Sequence, residues 1–329
     1  YEQMGKFDSA EFVLLDGLQK IPENIELRKR LAYSYKKQGK FSNQIIEYER
    51  LVEMDPENVS VMNDLSKIYK EYERYDDQIV ILQKILAIEA NNEIAQSELA
   101  VAFENSGKDP LEVYRKRYED NLGNMSYGID FADRLREADR AEDAAPVLEE
   151  VIKQDPSSKI AHRKLAEAYI FIDNLDLAAK AYEELFKIDP RDFRVAINIS
   201  DVYLDNGDFR QAIKWADKAT DIDSKSADAL GQKGKVYYYG WDSFRQNPFT
   251  NDDRLVAKLA YNYFLKAEDR GYKGFSKSIW LKENEKDVLY GKAQWFMAAD
   301  KVKRTRSIAT STPDYDWVTE TLKPENSWK

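Results

Sequence analysis

Proline stops a helix wherever it falls beyond the first turn, so prolines at a fixed interval cut a chain into units of fixed length. Pro22 and Pro56 lie 34 residues apart, and so do Pro156 and Pro190; three of these corners read Asp-Pro, at Asp55-Pro56, Asp155-Pro156 and Asp189-Pro190. The same ruler aligns a small-residue turn followed by an aromatic at Gly5-Lys6-Phe7, Gly39-Lys40-Phe41 and Gly207-Asp208-Phe209, with a weaker copy at Glu73-Arg74-Tyr75. A late aromatic recurs at Tyr35, Tyr69, Phe103, Tyr169, Tyr203 and Tyr237, and leucine-small pairs at Leu31-Ala32, Leu65-Ser66, Leu99-Ala100 and Leu165-Ala166.

Packing accounts for these residue types. Two antiparallel helices per period must approach closely, so small residues such as Ala10, Ala144, Ala178 and Ala212 mark the crossings, and large aromatics fill the gaps between hairpins. Glycine after the first helix supplies a left-handed C-cap, and proline after the second prevents its continuation. One such hairpin cannot bury its apolar face alone, so the stack is the folding unit. The reading is all-α.

The pattern over residues 1–274 resembles the tetratricopeptide-repeat (TPR) family, which implies a superhelical solenoid that binds other proteins. The repeats fall as a partial one at 1–24, then 25–58, 59–92, 93–124, 125–158, 159–192 and 193–226, and one at 227–274 with an insertion. Tyr1 falls on the late aromatic position, which predicts that the first helix is completed upstream. The repeat at 93–124 is two residues short, with Asp109-Pro110 at its turn; Pro146 requires its helix to start near Asp143 so that it sits in the first turn. In the last repeat about fourteen extra residues after Tyr237 read as a loop, with unusually aromatic content from Tyr238 to Phe249. Residues 275–329 read as a non-repeat module: one helix over 284–304, then a polar tail that retains Tyr315, Trp317 and Trp328. These rings are expected to be buried, either against the last helices near Trp280 and Trp295 or on a partner.

Composition removes most chemistry. The chain has no cysteine and one histidine, His162, which excludes disulfides, thiolate nucleophiles and His-rich metal sites. His162 stands at a packing position. No glycine-rich phosphate loop occurs, no apolar run approaches the ~20 residues of a membrane helix, and a net charge of −10 disfavours nucleic acid. Neither an enzyme activity nor a cofactor is predicted. The pairs Glu149-Glu150 and Glu183-Glu184 read as solvated faces, and the Asn-x-Ser matches at Asn58, Asn124 and Asn198 as chance.

Two candidate surfaces remain. In the resembled family the first helices line a concave binding face. There Lys29, Arg30, Tyr33, Lys36, Lys37, Lys67 and Lys70 form a basic stripe suited to an acidic or extended peptide, or a solvated face balanced by Asp64 and Glu71. The carboxylate clamp that some family members use for chaperone C-termini is matched at Arg163 and Asn198 but broken by Glu167, Asp228 and Gln232. The second surface is the aromatic C-terminal group Trp241, Phe249, Trp280, Trp295, Tyr315, Trp317 and Trp328, either a cap on the stack or a docking face. The expected function is a scaffold or adaptor docking peptides or subunits of a larger assembly, similar to TPR proteins of bacterial cell envelopes and so periplasmic or envelope-associated. The alternatives are a peptide-binding co-chaperone or regulator in the cytoplasm, and the TPR region of an enzyme whose catalytic domain lies upstream.

Overall fold

A computed structural model describes residues 6–328; the turn glycine Gly5 and the aromatic Tyr1 lie outside them. The described residues form consecutively packed helix pairs without a strand, and the chain divides into two compact units, residues 1–134 and 135–329.

The first unit carries α1 (Phe7–Lys20), α2 (Ile25–Lys37), α3 (Phe41–Met54), α4 (Val59–Glu71), α5 (Tyr75–Ile88), α6 (Glu93–Asn105) and α7 (Leu111–Glu119), and α8 (Met125–Glu137) begins in it. The second carries α9 (Ala141–Gln154), α10 (Lys159–Phe171), α11 (Leu175–Ile188), α12 (Phe193–Asp205), α13 (Phe209–Ile222), α14 (Ala227–Phe244) and α15 (Asn251–Glu268). Four short helices follow: α16 (Ser278–Glu283), α17 (Glu285–Val288), α18 (Lys292–Met297) and α19 (Asp300–Thr305).

Local chemistry sets these boundaries. First helices start at side-chain caps, where Asn24, Asn58, Asn92, Ser158 and Ser226 accept the backbone N–H of the residue three further on, and Asp192 that of Arg194. They end on residues in the left-handed region, Gly39, Glu73, Gly107, Asp139, Asp173 and Gly207. The next N–H in each case returns to the carbonyl of the late aromatic position, as Lys40 does to Tyr35 at 2.9 Å and Arg74 to Tyr69 at 2.8 Å. The crossing alanines Ala10, Ala144, Ala178 and Ala212 are buried. His162 is buried too, its Nε2 lying 3.1 Å from the Pro156 carbonyl oxygen.

Several expectations need correction. α9 starts at Ala141, so Pro146 lies beyond the first turn. The ring removes one hydrogen bond, to the Glu142 carbonyl, and both residues are exposed, so water can satisfy the freed oxygen. The extra residues of the last hairpin form no long loop. They lengthen α14 and α15 to 18 residues each, leaving only residues 245–250 between them. The segment 284–304 is not one helix. It breaks after Val288, where Leu289 is extended, and again at Ala298. The break lets Val288, Leu289 and Tyr290 all be buried, which no single helix face could do.

A core of the second unit joins α12–α15 to the C-terminal segment. From Ile308 the tail runs back over α14 and α15, held in one antiparallel bridge between Ile308 and Leu322. Asp252 accepts the backbone N–H groups of Ser311 at 2.7 Å and Thr312 at 2.8 Å, and Asp253 accepts the Tyr315 hydroxyl at 2.6 Å.

Candidate functional site

The expected basic stripe lies on α2 and α4. Arg30, Lys36, Lys37, Lys67 and Lys70 are exposed, Lys29 is half-buried, and Tyr33 shows 49% of its surface. Tyr33 is set by its neighbours: Phe7 meets it edge-on at 6.2 Å and the Lys37 ammonium lies 5.4 Å from its ring centre. Lys36 is committed to Glu71 at 2.6 Å, and that hydrogen bond raises its pKa. Arg28, which the sequence reading passed over, is withdrawn from the surface: with Arg50 it pairs with the buried Glu47, at 2.8 and 2.7 Å. The alternation of buried and exposed basic residues along α2 could be read from the position of Arg28 one turn before Leu31-Ala32.

In the second unit the exposed faces of α12 and α14 form a recess of about 330 Å³ with Tyr272 and Phe275 at its side. Asp201 sits at its centre and accepts from Gln232 and Lys235, both at 2.7 Å. Two of the three broken clamp positions are therefore engaged in the chain's own pairs. Gln232 serves Asp201, and Glu167 pairs with Arg136 at 3.0 Å.

The carboxylate pairs of the second helices are not simply solvated. Glu49, Glu149 and Glu183 each accept a hydrogen bond from the late tyrosine twenty residues on, Tyr69, Tyr169 and Tyr203, at 2.7, 2.6 and 2.8 Å. Burial, then the carboxylate, pushes Tyr169 and Tyr203 up to about 12. The Glu-to-Tyr interval of twenty was visible in the sequence. Asn58 and Asn124 also have structural work: Asn58 caps α4, and Asn124 accepts from the Ser126 N–H at 3.2 Å.

The aromatic group divides by burial. Trp241, Tyr315, Trp317 and Trp328 are buried; Phe249 and Trp295 are partly buried against the same core; Trp280 keeps 41% exposed. The expected location is half right. Trp328 lies 6.3 Å from Trp295, but Tyr315 and Trp317 pack on α13 and α14, where Trp317 stacks on Tyr237 at 5.8 Å and meets Phe209 at 5.6 Å. Beside them the Lys233 ammonium is enclosed by Asp217, Glu320 and the Tyr263 ring.

Models described as tetratricopeptide repeat match residues 29–58, 135–196 and 171–227. Over 134 residues, 41% of the chain, it is 26% identical to cellulose synthase operon protein C of Pseudomonas fluorescens (strain SBW25), and this spans a tenth of that protein. Among solved structures, the C-terminal part of a TPR repeat-containing protein from Cytophaga hutchinsonii is 13% identical with a TM-score of 0.44, covering 74% of this chain and 99% of that one. PilF of Pseudomonas aeruginosa is 18% identical with a TM-score of 0.39, covering 69% and 97%. The matched segments are tetratricopeptide repeats, and the helix pairs with their repeating caps carry the same hairpin pattern through the rest of the array.

Proposed function

We propose that the chain is a docking scaffold whose first-helix faces hold an acidic, extended segment of a partner protein belonging to a larger assembly. The observation that carries this reading is the exposed basic face of α2 and α4 in a chain of net charge −10. Against an overall acidic field, a local cluster around a half-exposed tyrosine selects partners by charge and offers a ring for apolar contact. The likeness to a cellulose synthase operon protein supports placing that assembly at a bacterial cell envelope. No described helix is long and apolar enough to cross a membrane.

The test is reversal of Lys29, Lys36 and Lys67 to Glu, read by anisotropy of fluorescein-labelled acidic peptides. Lys36 and Lys67 are exposed and Lys29 is half-buried; charges placed so near solvent contribute little to stability, so the variant should keep its circular dichroism and melting. Binding should fall at least tenfold, and the residual binding should lose its salt sensitivity. Unchanged affinity would leave α2 and α4 as a solvated face.

A further inference from the structure

The outer side of the first unit differs from that of the second at equivalent positions. Phe12, Ile46 and Val80 are 34 residues apart, at the same place in the second helices α1, α3 and α5, and are exposed by 77%, 42% and 53%. In the second unit, α11 and α13 carry Lys180 and Lys214 there. A solvated helix face favours the lysines, so the apolar series has no explanation in the fold.

Beside Val80 a cleft of about 560 Å³ opens between α3 and α5. Its floor is Met62, Leu65 and Tyr69 from α4, and its walls include Val52, Ile81 and the exposed Ile88. The equivalent space between α11 and α13 is filled. Phe186 stands where α3 has Val52 and Trp215 where α5 has Ile81; the two rings meet at 5.1 Å, with Lys218 over both. Both rings are buried. In the first unit the aliphatic pair leaves that volume unoccupied, while Lys84 keeps the position of Lys218.

We propose that this cleft and the apolar series beside it form a second docking surface, which takes a large apolar side chain from a basic-flanked segment of a partner protein. The rim supplies the sign. Glu49, Glu53 and Asp77 border the cleft with the Lys84 ammonium among them; Asp77 is paired with Arg74 at 2.5 Å, so the acidic excess of the rim rests on Glu49 and Glu53. A second copy of this chain would bring its own acidic rim against this one, so charge selects a different, basic partner. The apolar floor of Met62, Leu65 and Tyr69 offers a seat for a ring or branched side chain as an anchor.

The experiment uses the full chain and two series of fluorescein-labelled 15-residue helical peptides. Each bears one Trp, Phe or Leu anchor, with Lys/Arg flanks in one series and Glu flanks in the other. The expected result is that anchored, basic-flanked peptides bind, and that Val80→Lys and Ile81→Trp each weaken them at least tenfold. Val80→Lys copies the second unit's surface and Ile81→Trp copies its filled core. The Lys29, Lys36 and Lys67 reversal should leave this binding intact while abolishing that of the Glu-flanked series, so the two surfaces fail separately. The proposal is overturned if no basic-flanked peptide binds, or if both variants bind as the natural chain does. It is also overturned if sedimentation reveals a concentration-dependent dimer that Val80→Lys dissolves, since the occupant is then a second copy.

Discussion

The two ends of this chain solve the same packing problem in opposite ways. In α1–α5 the hairpins are joined by aliphatic contacts, such as Val52, Met62, Leu65 and Ile81, and apolar side chains remain on the outer surface. In α12–α15 aromatic rings and a returning tail cover the last hairpin, and all six tryptophans of the chain lie after residue 214. A stack of hairpins leaves an unsatisfied face at its end, and here that face is closed by the chain's own Tyr315, Trp317 and Trp328. Closure and openness therefore belong to different segments, and substitutions should separate them.

The largest effect is expected from removing residues 308–329. That deletion strips Ile308, Tyr315, Trp317, Val318, Leu322 and Trp328 from the core, each contributing roughly 1.5–3 kcal/mol when buried, and leaves the buried Lys233 without Glu320. The second unit should lose at least about 5 kcal/mol. Hydrogen exchange should show the loss confined to α12–α15, with α2–α5 protected as before. Uniform deprotection of both regions would contradict the comparison.

A sharper lesion enlarges one glycine. A Cβ at Gly240 of α14 would overlap the Trp317 ring, so Gly240→Ala must push the tail outward. Overpacking of this kind costs about 1–3 kcal/mol, and it should quench-shift the tryptophan emission toward the solvent-exposed maximum. Retained blue emission with unchanged melting would mean that the tail yields without cost.

Where one packing rule repeats, the chain spells out its fold. Gly39 and Gly207 end first helices and the crossing alanines are buried, because each copy meets the same neighbours. The caps at Asn24, Asn58 and Asn92 carried the same period and were passed over because their chemistry is local, and so does not touch the hydrophobic pattern. Where the rule lapses, the periodicity carries no information. Tyr238, Trp241 and Phe244 looked like loop aromatics because nothing in the periodicity said that α14 would lengthen to meet a tail arriving from seventy residues on. The outer cleft was invisible for a related reason: Val52 and Ile81 are ordinary core residues, and only their comparison with Phe186 and Trp215 reveals missing volume.

Within the second unit, alkaline titration should separate the repeat tyrosines from Tyr263, which the tail's Glu320 engages. Burial first, then carboxylate partners, raise Tyr169, Tyr203 and Tyr263 to about 12, against an unfolded value near 10. Between these values the folded state holds protons that the unfolded state has lost. Their stabilising contribution is thus complete below about pH 10 and disappears as pH rises toward 12. Denaturant midpoints measured from pH 9 to 12 should fall over that window, and Tyr263→Phe should flatten the fall in the second unit. An unchanged slope in that variant would assign the loss to the repeat tyrosines alone.

A smaller effect tests whether caps act equally in both units. Asn58 accepts the Val61 N–H at 3.1 Å, and Ser158 that of Ala161 at 3.4 Å. Asn58→Ala should cost about 1 kcal/mol, and Ser158→Ala less, in keeping with its longer bond. Equal losses in paired denaturation curves would show that conformational preference at the cap, and not the hydrogen bond, sets the helix start.

The smallest expected effect lies at the turns between first and second helices. Gly39 and Gly207 take φ of 71° and 75° without penalty, but the same position holds Glu73 at 57° in the first unit and Asp173 at 59° in the second. A side chain in this region costs about 1–2 kcal/mol, less for aspartate, whose short carboxyl group can hydrogen-bond locally. Glycine removes that strain but gives the unfolded chain extra freedom, a loss of about 0.5–1 kcal/mol. For Glu73→Gly the first term is the larger, so a gain of about 0.5 kcal/mol is expected. For Asp173→Gly the two terms nearly cancel. Gly39→Ala runs the same two terms in reverse, adding strain while reducing the freedom of the unfolded chain, so it should lose about 0.5 kcal/mol and calibrates the scale. If Asp173→Gly gained as much as Glu73→Gly, the local hydrogen-bonding advantage of aspartate would be absent here, and both turns would be strained alike.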